Sequence, residues 1–563
     1  MVILYTQAAI LSSGTVKTRR MGSRKMEAQT DSGKWVREHI VDLVATLQPE
    51  YFKSKRWFGS KGRKIKSFGL IDFAVLSEQS VLTVLLLLRI GYQEGNTEFY
   101  HLPLLLQSAF DAPTTITSQP NAIAATLDTP QGELVAYDAF ANEDFLRTFY
   151  HNMFENHQFE SGLGEGRFVF ANVAGRIDQP EVEAVKLIAT EQSNTSVVYN
   201  GKLILKCFRK LAAGKNPDFE IPLFLTTNTD FRYVPKLAGY IEYEQTKGNP
   251  VSIGVLQDFI KNNGDGYNFT LEHLRDFFKQ LEPELLAGSL QNLGDNARTE
   301  RAQQLAAPYV GAARQLGQIT GQLHNALASE EAQQDPAFVP ELITAQDTNK
   351  WQASIEKLID TIMDTATKYL ANAPAELKQQ LESIAANKQA YLDVVARVNE
   401  LPQAGVNKIR YHGDYHLGQV LKTDEGFMVL DFEGEPARTL EERRAKYCPL
   451  KDVTGMLRSF DYAAYTVLFE QQEKLGEKVA AGELERWALA WEGVARTAFL
   501  AGYLEAVKAN RGAKFLPDSP QALQQAMDVF ETEKAFYELL YEINNRPNWI
   551  AMPLKGLQRI SKQ

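Results

Sequence analysis

The sequence predicts an α+β chain of two main lobes, a β-rich one followed by a helical one, with a smaller α+β unit ahead of them. Three observations carry this. Short runs rich in Val, Ile, Leu and Tyr, separated by turn residues, recur between 68 and 260. From 271 onward the apolar residues recur with a helical period instead. That helical half is interrupted once, at 408–432, by two short apolar strands flanking a loop of His, Asp and Gly. A chain of 563 residues has room for roughly three or four such units.

Composition narrows the classes. With 44% hydrophobic residues the chain is not chiefly disordered, and 37 Gly with 22 Pro exclude collagen-like and low-complexity chains. Sixty Lys and Arg against 70 Asp and Glu give a net charge of −10, which argues against nucleic acid as the main ligand. Cys207 and Cys448 form no C-x-x-C pair and no disulfide framework, so a reducing, cytoplasmic setting is expected. The longest apolar run, 81–90, is about half of what a membrane span needs and reads as a buried strand, so no membrane partner is expected.

Taken in order, residues 1–30 carry an apolar run at 8–11 followed by Lys17, Arg19, Arg20, Arg24 and Lys25. A secretory signal places its basic residues first, so this segment reads as a disordered extension without a role in function. The unit 31–130 holds a helix at 35–47 and strands at 68–76, 81–90 and 98–106. The basic motif from Lys55 to Arg63 reads as a loop anchored by Trp57 and Phe58. The unit 131–262 holds strands at 183–189, 196–199, 202–208 and 251–260, and Asn200-Gly201 marks a two-residue hairpin turn. The unit 263–563 holds helices at 271–286, 301–327, 351–371, 375–401 and 487–507. There is no internal repeat.

The chemistry concentrates in the polar insert. Asp414 and Gln419 are five apart, the offset of the Asp and Asn in kinase catalytic loops, and Asp431-Phe432 ends an apolar strand as the metal-binding Asp-Phe of kinases does. Phosphoryl transfer needs a carboxylate near the acceptor hydroxyl and hard oxygen ligands for Mg²⁺, and these three side chains supply both. Read alone, His412-Gly413-Asp414 is also a turn in which Asp414 caps backbone amides. A zinc reading of His412 and His416 fails because Gly413 stands where the H-E-x-x-H helix needs Glu.

A kinase also needs a grip on phosphates. No Walker A loop occurs, since Gly214-Lys215 is followed by Asn216, and Gly162 to Gly166 reads as a flexible turn. The hairpin tip Gln192-Ser193-Asn194-Thr195-Ser196 offers small polar groups and leads toward the strand that carries Lys206. A strand lysine between apolar neighbours is either an edge-protecting residue or a phosphate ligand. Glu220, just past a helix start near Asp218, is the expected partner that would orient Lys206.

Several longer segments resemble one family. HGDYHLGQVL, DFEGEP, DVTGMLRSFDYAAYT, KRWFGSKGR, EQSNTSVV, ILKCFRKL, NPDFEI, GVLQDFI and the stretch from FETEKAFYELL to GLQRI are similar to bacterial maltokinases, which are aminoglycoside-phosphotransferase-like enzymes also found fused to trehalose synthase. The resemblance spans about 48–560. It implies a bilobal protein-kinase-like fold with an added N-terminal cap, and ATP-dependent phosphorylation of maltose at its anomeric hydroxyl. It further implies Asp414 as catalytic base, Gln419 and Asp431 as Mg²⁺ ligands, Lys206 as the phosphate-binding lysine with Glu220 as its partner, and Gln257, Asp258 and Phe259 as the adenine hinge. For the acceptor, His416, Glu433, Glu435 and Arg438 are expected contacts, with Tyr462, Trp487 and Trp491 as further aromatic candidates. Trehalose synthase is the implied protein partner. Two other readings remain open: a related kinase acting on glucosamine or an aminoglycoside, and a silent kinase-like partner of trehalose synthase. The role of the Trp57 motif is left open.

Overall fold

In the computed structural model, residues 32–77, 81–112, 119–129, 132–188, 194–290, 293–370, 375–436 and 438–560 are described. The extension expected to be disordered, 1–30, lies outside them.

Leu, Val and Ile alternate or run together along Ile65–Ser77, Leu82–Tyr92 and Thr97–Ser108, and these strands pair antiparallel as a meander. Gly132–Asp138 and Ile123–Thr129 extend the sheet from the third strand. One face is covered by the helix Ser32–Ala45, whose Val36, Ile40, Leu43 and Val44 are buried with Trp57 and Phe58 of the basic loop. The boundary expected at 130 falls inside a hairpin, because the last strand of this sheet is formed by Gly132–Asp138.

The other face, through Leu85, Leu87, Leu105 and Val135, shares a core with a second, seven-stranded antiparallel sheet. Its central strands are Val251–Asp258 and Leu203–Phe208, followed outward by Asn194–Tyr199 and Val185–Ile188. At the turn between Leu203–Phe208 and Asn194–Tyr199, Asn200 and Gly201 both have positive φ, 52° and 64°, and the Lys202 amide donates to the Tyr199 carbonyl at 2.9 Å, but Tyr199 pairs with Leu203, so the connection takes three residues where the sequence predicts two. Lys210–Leu211 then crosses to pair with Thr97–Ser108, so the chain stitches the two sheets together directly after the Lys206 strand.

The helical lobe is built around Asp295–Leu327 and Ala481–Val507. They touch backbone to backbone: a Cβ on Gly317 would lie 1.9 Å from the Phe499 carbonyl oxygen, and one on Gly502 2.0 Å from that of Arg314. The expected helix at 375–401 is broken into Ala375–Ala386, Lys388–Ala396 and a 3₁₀ segment containing Pro402. Two helices carry little or no amphipathic signature to read, Pro217–Asn228 and Leu450–Leu475. In Leu450–Leu475 every residue from 450 to 461 is buried, and Pro217–Asn228 buries Pro217 through Pro222, so neither shows a polar stripe. Among the described residues no helix is long and apolar enough to cross a membrane.

Both cysteines are buried, and burial pushes each thiol up to about 12. The folded chain should therefore show no thiol reacting with a disulfide reagent within minutes at pH 8, and two after denaturation. A fast-reacting thiol in the native protein would contradict this packing.

Candidate active site

The helix Pro217–Asn228 begins at an Asn216 cap with Pro217 in its first turn, which places Asp218 and Glu220 at its N-terminal end. Asp218 is 3% exposed and is held on two sides. Its Oδ2 takes a hydrogen bond from Lys206 Nζ at 2.8 Å, and its Oδ1 one from the Phe432 amide at 2.9 Å. Lys206 Nζ also lies 2.7 Å from Asp431 Oδ1 and 2.7 Å from Glu433 Oε1. Burial opposes the Lys206 ammonium, but the three carboxylates override it and hold Lys206 well above the usual lysine range. Burial pushes Asp218 up to about 7 despite Lys206, with Asp431 and Glu433 adding to the rise.

One ammonium against three carboxylates leaves surplus negative charge beside the buried Asp218, on the partly exposed Asp431 and Glu433. The ligand oxygens of Asp218, Asp431 and Glu433 lie within 4.8 Å of one another, and Gln419 Nε2 donates to Asp431 Oδ2 at 3.1 Å. Such a set of hard oxygens with surplus negative charge fits a divalent cation. Asp431, at φ 61°, sits in the left-handed region, which Asp enters more readily than most side chains, and its hydrogen bonds with Lys206 and Gln419 fix its carboxylate there. On the Lys206 face of the sheet, Ser196 is directly opposite Lys206, and its buried hydroxyl has no hydrogen-bond partner among the described residues.

The loop 412–419 is fixed from below. Asp452, in the first turn of Leu450–Leu475, accepts from the amides of His412 at 2.7 Å and Gly413 at 2.9 Å, and faces His324 Nε2 at 3.2 Å. His412 Nε2 donates to the Leu430 carbonyl at 2.8 Å, and the Leu430 amide donates to the Gln419 carbonyl at 2.9 Å. Both ends of the loop are thus bonded to the residues just before Asp431. Asp414 projects from it, with Lys534 Nζ at 3.1 Å and His416 Nε2 at 3.9 Å. Lys534 is itself shared with Glu435 at 3.2 Å.

Asp414 and His416 open onto a cavity of about 470 Å³. Tyr267, Tyr462, Tyr537, Tyr541 and Trp549 line it, with Glu538, Glu542 and Arg546. Tyr462 and Trp549 stack at 6.3 Å and 23°.

The structure brings Lys206, Asp431, Gln419 and Glu433 together, and places Asp414 and His416 at the mouth of the cavity. Several expectations change. Glu220 does not pair with Lys206: it accepts from Arg410 at 2.6 Å and Arg444 at 2.7 Å, because residues two apart on a helix point about 200° apart, and Asp218 holds the lysine-facing side. Glu433 faces Lys206 instead of the cavity onto which Asp414 opens. Glu435, 2% exposed, pairs with the partly exposed Arg438 at 2.6 Å, so Glu435 reaches Asp414 through Lys534 and neither residue lines the cavity onto which Asp414 opens. Trp487 and Trp491 are completely buried core residues. Thr195 faces away from Lys206, toward Arg209, while Asn194 donates to Glu433 at 3.2 Å. Gln192 and Ser193 lie outside the described residues. Gln257 remains in the ladder opposite Ile204, Asp258 pairs with Arg176 at 2.7 Å, and Phe259 donates its amide to the Lys202 carbonyl at 2.7 Å as the chain leaves the sheet.

Sequence reasoning missed Lys534, Asp218 as the partner of Lys206, and Asp452. The stripe Lys534, Tyr537, Glu538, Tyr541 and Glu542 does recur at helical spacing, a polar and aromatic face that could have marked a cavity wall.

Comparison with known proteins bears on this arrangement. Residues 51–141 match the maltokinase N-terminal cap domain. The chain is 29% identical over 243 residues to a glucosamine kinase of Streptacidiphilus jiangxiensis, an alignment that covers 43% of this chain and spans about half, 47%, of that relative. It is 24% identical over 373 residues to a glucosamine kinase of Mycolicibacterium smegmatis, covering 65% of this chain and 77% of the relative. A solved glucosamine kinase in complex with glucosamine, ADP and inorganic phosphate superposes with a TM-score of 0.61 at 18% identity, covering 92% of this chain and 98% of that one. A second crystal form gives 0.62 at 19%, covering 93% and 99%. The chain has that fold, the bilobal kinase-like one with a cap that the sequence resemblance implied, and residues 51–141 are similar to the maltokinase cap.

Burial opposes the Glu435 carboxylate, but Lys534, Lys451 and Arg438 override it and hold it at about 2, against an ordinary 4.5. A depressed carboxyl stabilises the fold fully above its ordinary value, and that contribution fades as pH falls toward 2. The stability difference between wild type and Glu435→Gln, measured by denaturant unfolding, should therefore shrink by about 2 kcal/mol between pH 6 and pH 3. A difference independent of pH would contradict this pairing.

Proposed function

We propose that this chain is an ATP-dependent sugar kinase that transfers the γ-phosphoryl group of ATP to the anomeric hydroxyl of maltose, giving maltose 1-phosphate and ADP. The observation that carries the reading is that one short loop serves both halves of such a reaction. Its Asp414 opens onto the acceptor cavity, and its Gln419 reaches Asp431 in the cation-demanding cluster. The cap and the fold shared with glucosamine kinases support the class.

Asp431, Gln419 and Glu433 are the residues that would hold Mg²⁺, which when bound neutralises charge on the nucleotide phosphates. Lys206, the cation at the centre of the cluster, would pair with phosphate oxygens. Asp414 would accept the proton of the attacking hydroxyl and orient it, with Lys534 fixing the carboxylate. Most of the rate enhancement would come from this positioning and from charge neutralisation.

Four carboxylates line the cavity: Glu538 is held by Arg458 at 2.8 Å, Glu542 by Arg546 at 2.7 Å and Asp414 by Lys534 at 3.1 Å, whereas Asp265 accepts from Asn268 and has no ion-pair partner among the described residues. The choice of maltose over a cationic sugar therefore rests on the resemblance and the cap match, not on the cavity's charge. Aromatic faces and paired, oriented carboxylates suit the apolar and hydroxyl faces of a sugar, and about 470 Å³ is within the usual range of small-molecule sites. The names of the relatives keep glucosamine as the second reading. With Lys206, Asp414, Gln419 and Asp431 all present, a silent partner of trehalose synthase is disfavoured, while association with that enzyme rests on the resemblance alone.

An ADP-release assay with Mg-ATP over maltose, trehalose, glucose, glucosamine and an aminoglycoside should give the highest kcat/KM with maltose; a preference for glucosamine would replace the acceptor assignment. Asp414→Asn should lower kcat at least about 100-fold while leaving Mg-ATP affinity within about threefold. Activity within tenfold of wild type would remove Asp414 from the role of base.

A further inference from the structure

Glu538 reaches the cavity onto which Asp414 opens from the helix Pro520–Asn545, and it is held from outside that cavity. Arg458 Nε and Nη2 both donate to one of its oxygens, Oε2, at 3.0 and 2.8 Å. Among the described residues no other ion pair holds Glu538, and no hydrogen bond reaches its Oε1. The position of Glu538 in the cavity wall therefore follows that of Arg458.

Arg458 is 1% exposed and is divided between two carboxylates, because its Nη1 donates to Asp461 on the same helix. Asp461, also 1% exposed, gives its other oxygen to Arg559 Nη2, which comes from the helix Ala551–Ile560. Burial opposes the Asp461 carboxylate, but Arg559 and Arg458 override it and hold it below its usual range. The helix Ala551–Ile560 also packs on the guanidinium itself: a Cβ on Gly556 would lie 2.2 Å from Arg458 Nη1 and 2.8 Å from its Cζ. Just before this helix the chain supplies the cavity with Trp549, stacked on Tyr462.

We infer that the helix Ala551–Ile560 positions the acceptor wall of the cavity, with Gly556 and Arg559 as positioning residues that act through Arg458 and Asp461 and leave Glu538 Oε1 available to a sugar hydroxyl. A buried guanidinium that uses three nitrogens cannot step aside for a methyl group on Gly556 without giving up one of those bonds. Without Arg559, both Asp461 oxygens compete for Arg458 and draw it from Glu538. The inference rests on the reading of this cavity as the acceptor site.

The test is steady-state ADP release by the full-length protein with Mg-ATP and maltose, or with the sugar that the wild-type chain uses best. Gly556→Ala and Arg559→Met should each raise the sugar KM about five- to tenfold, with kcat and the Mg-ATP KM within about twofold, because a contact made equally in the ground and transition states moves KM alone. Lys555→Met, on the same helix but paired with Glu485 at 2.6 Å, should match wild type. An unchanged sugar KM in either of the first two variants, a fall in kcat in place of the rise in KM, or an equal rise in Lys555→Met would overturn the inference. A wild-type chain that phosphorylates none of the sugars would instead overturn the proposed function, and the inference with it.

Discussion

The arrangement depends on one buried carboxylate. Asp218 carries a strand lysine on one oxygen and the backbone of Phe432 on the other, so the second sheet, the helix Pro217–Asn228 and the segment after Asp431 meet at a single side chain. A carboxylate 3% exposed is costly to leave without its donors, which ties the three parts to one geometry. Lys206 is thereby held where Asp431 and Glu433 also reach it, and the resulting excess of negative charge is what a metal nucleotide would answer.

The helical lobe fixes the other half by the same means. Asp452 offers its carboxylate to two loop amides, and the loop in turn is bonded to the residues leading into Asp431. Asp414 is then placed by backbone, not by its own packing, and Lys534 orients its carboxylate at the cavity mouth. Glu435, paired with Arg438, also bonds Lys534, so the ammonium that faces Asp414 is held at the mouth of a cavity lined with rings.

What could be read from the sequence follows from how local each feature is. Asp414, Gln419 and Asp431 sit within one polar insert whose spacing alone carries the pattern, and Lys206 stands out as a charge inside an apolar strand. The turn at Asn200-Gly201 is dictated by two residues that tolerate positive φ. By contrast, Lys534 is 120 residues from the Asp414 it touches, and nothing local announces the contact. The choice between Asp218 and Glu220 turns on the rotation of a helix buried nearly all round, which leaves no polar stripe to set its phase. Glu435 and Arg438 are sequence neighbours of the site that turn inward, and Trp487 and Trp491 are aromatics spent on the core, distinctions made only by tertiary packing. The boundary near 130 was obscured because a hairpin turn looks like a linker.

The central claim, that Asp218 and not Glu220 holds Lys206 in the proposed Mg-ATP site, is tested most directly by Mg-ATP titration calorimetry on two single variants. The account predicts that Asp218→Asn weakens Mg-ATP binding at least about tenfold, while Glu220→Gln, which loosens the contact to Arg410 and Arg444, leaves it within about twofold. The reverse order, with Glu220→Gln losing affinity and Asp218→Asn retaining it, would contradict the account.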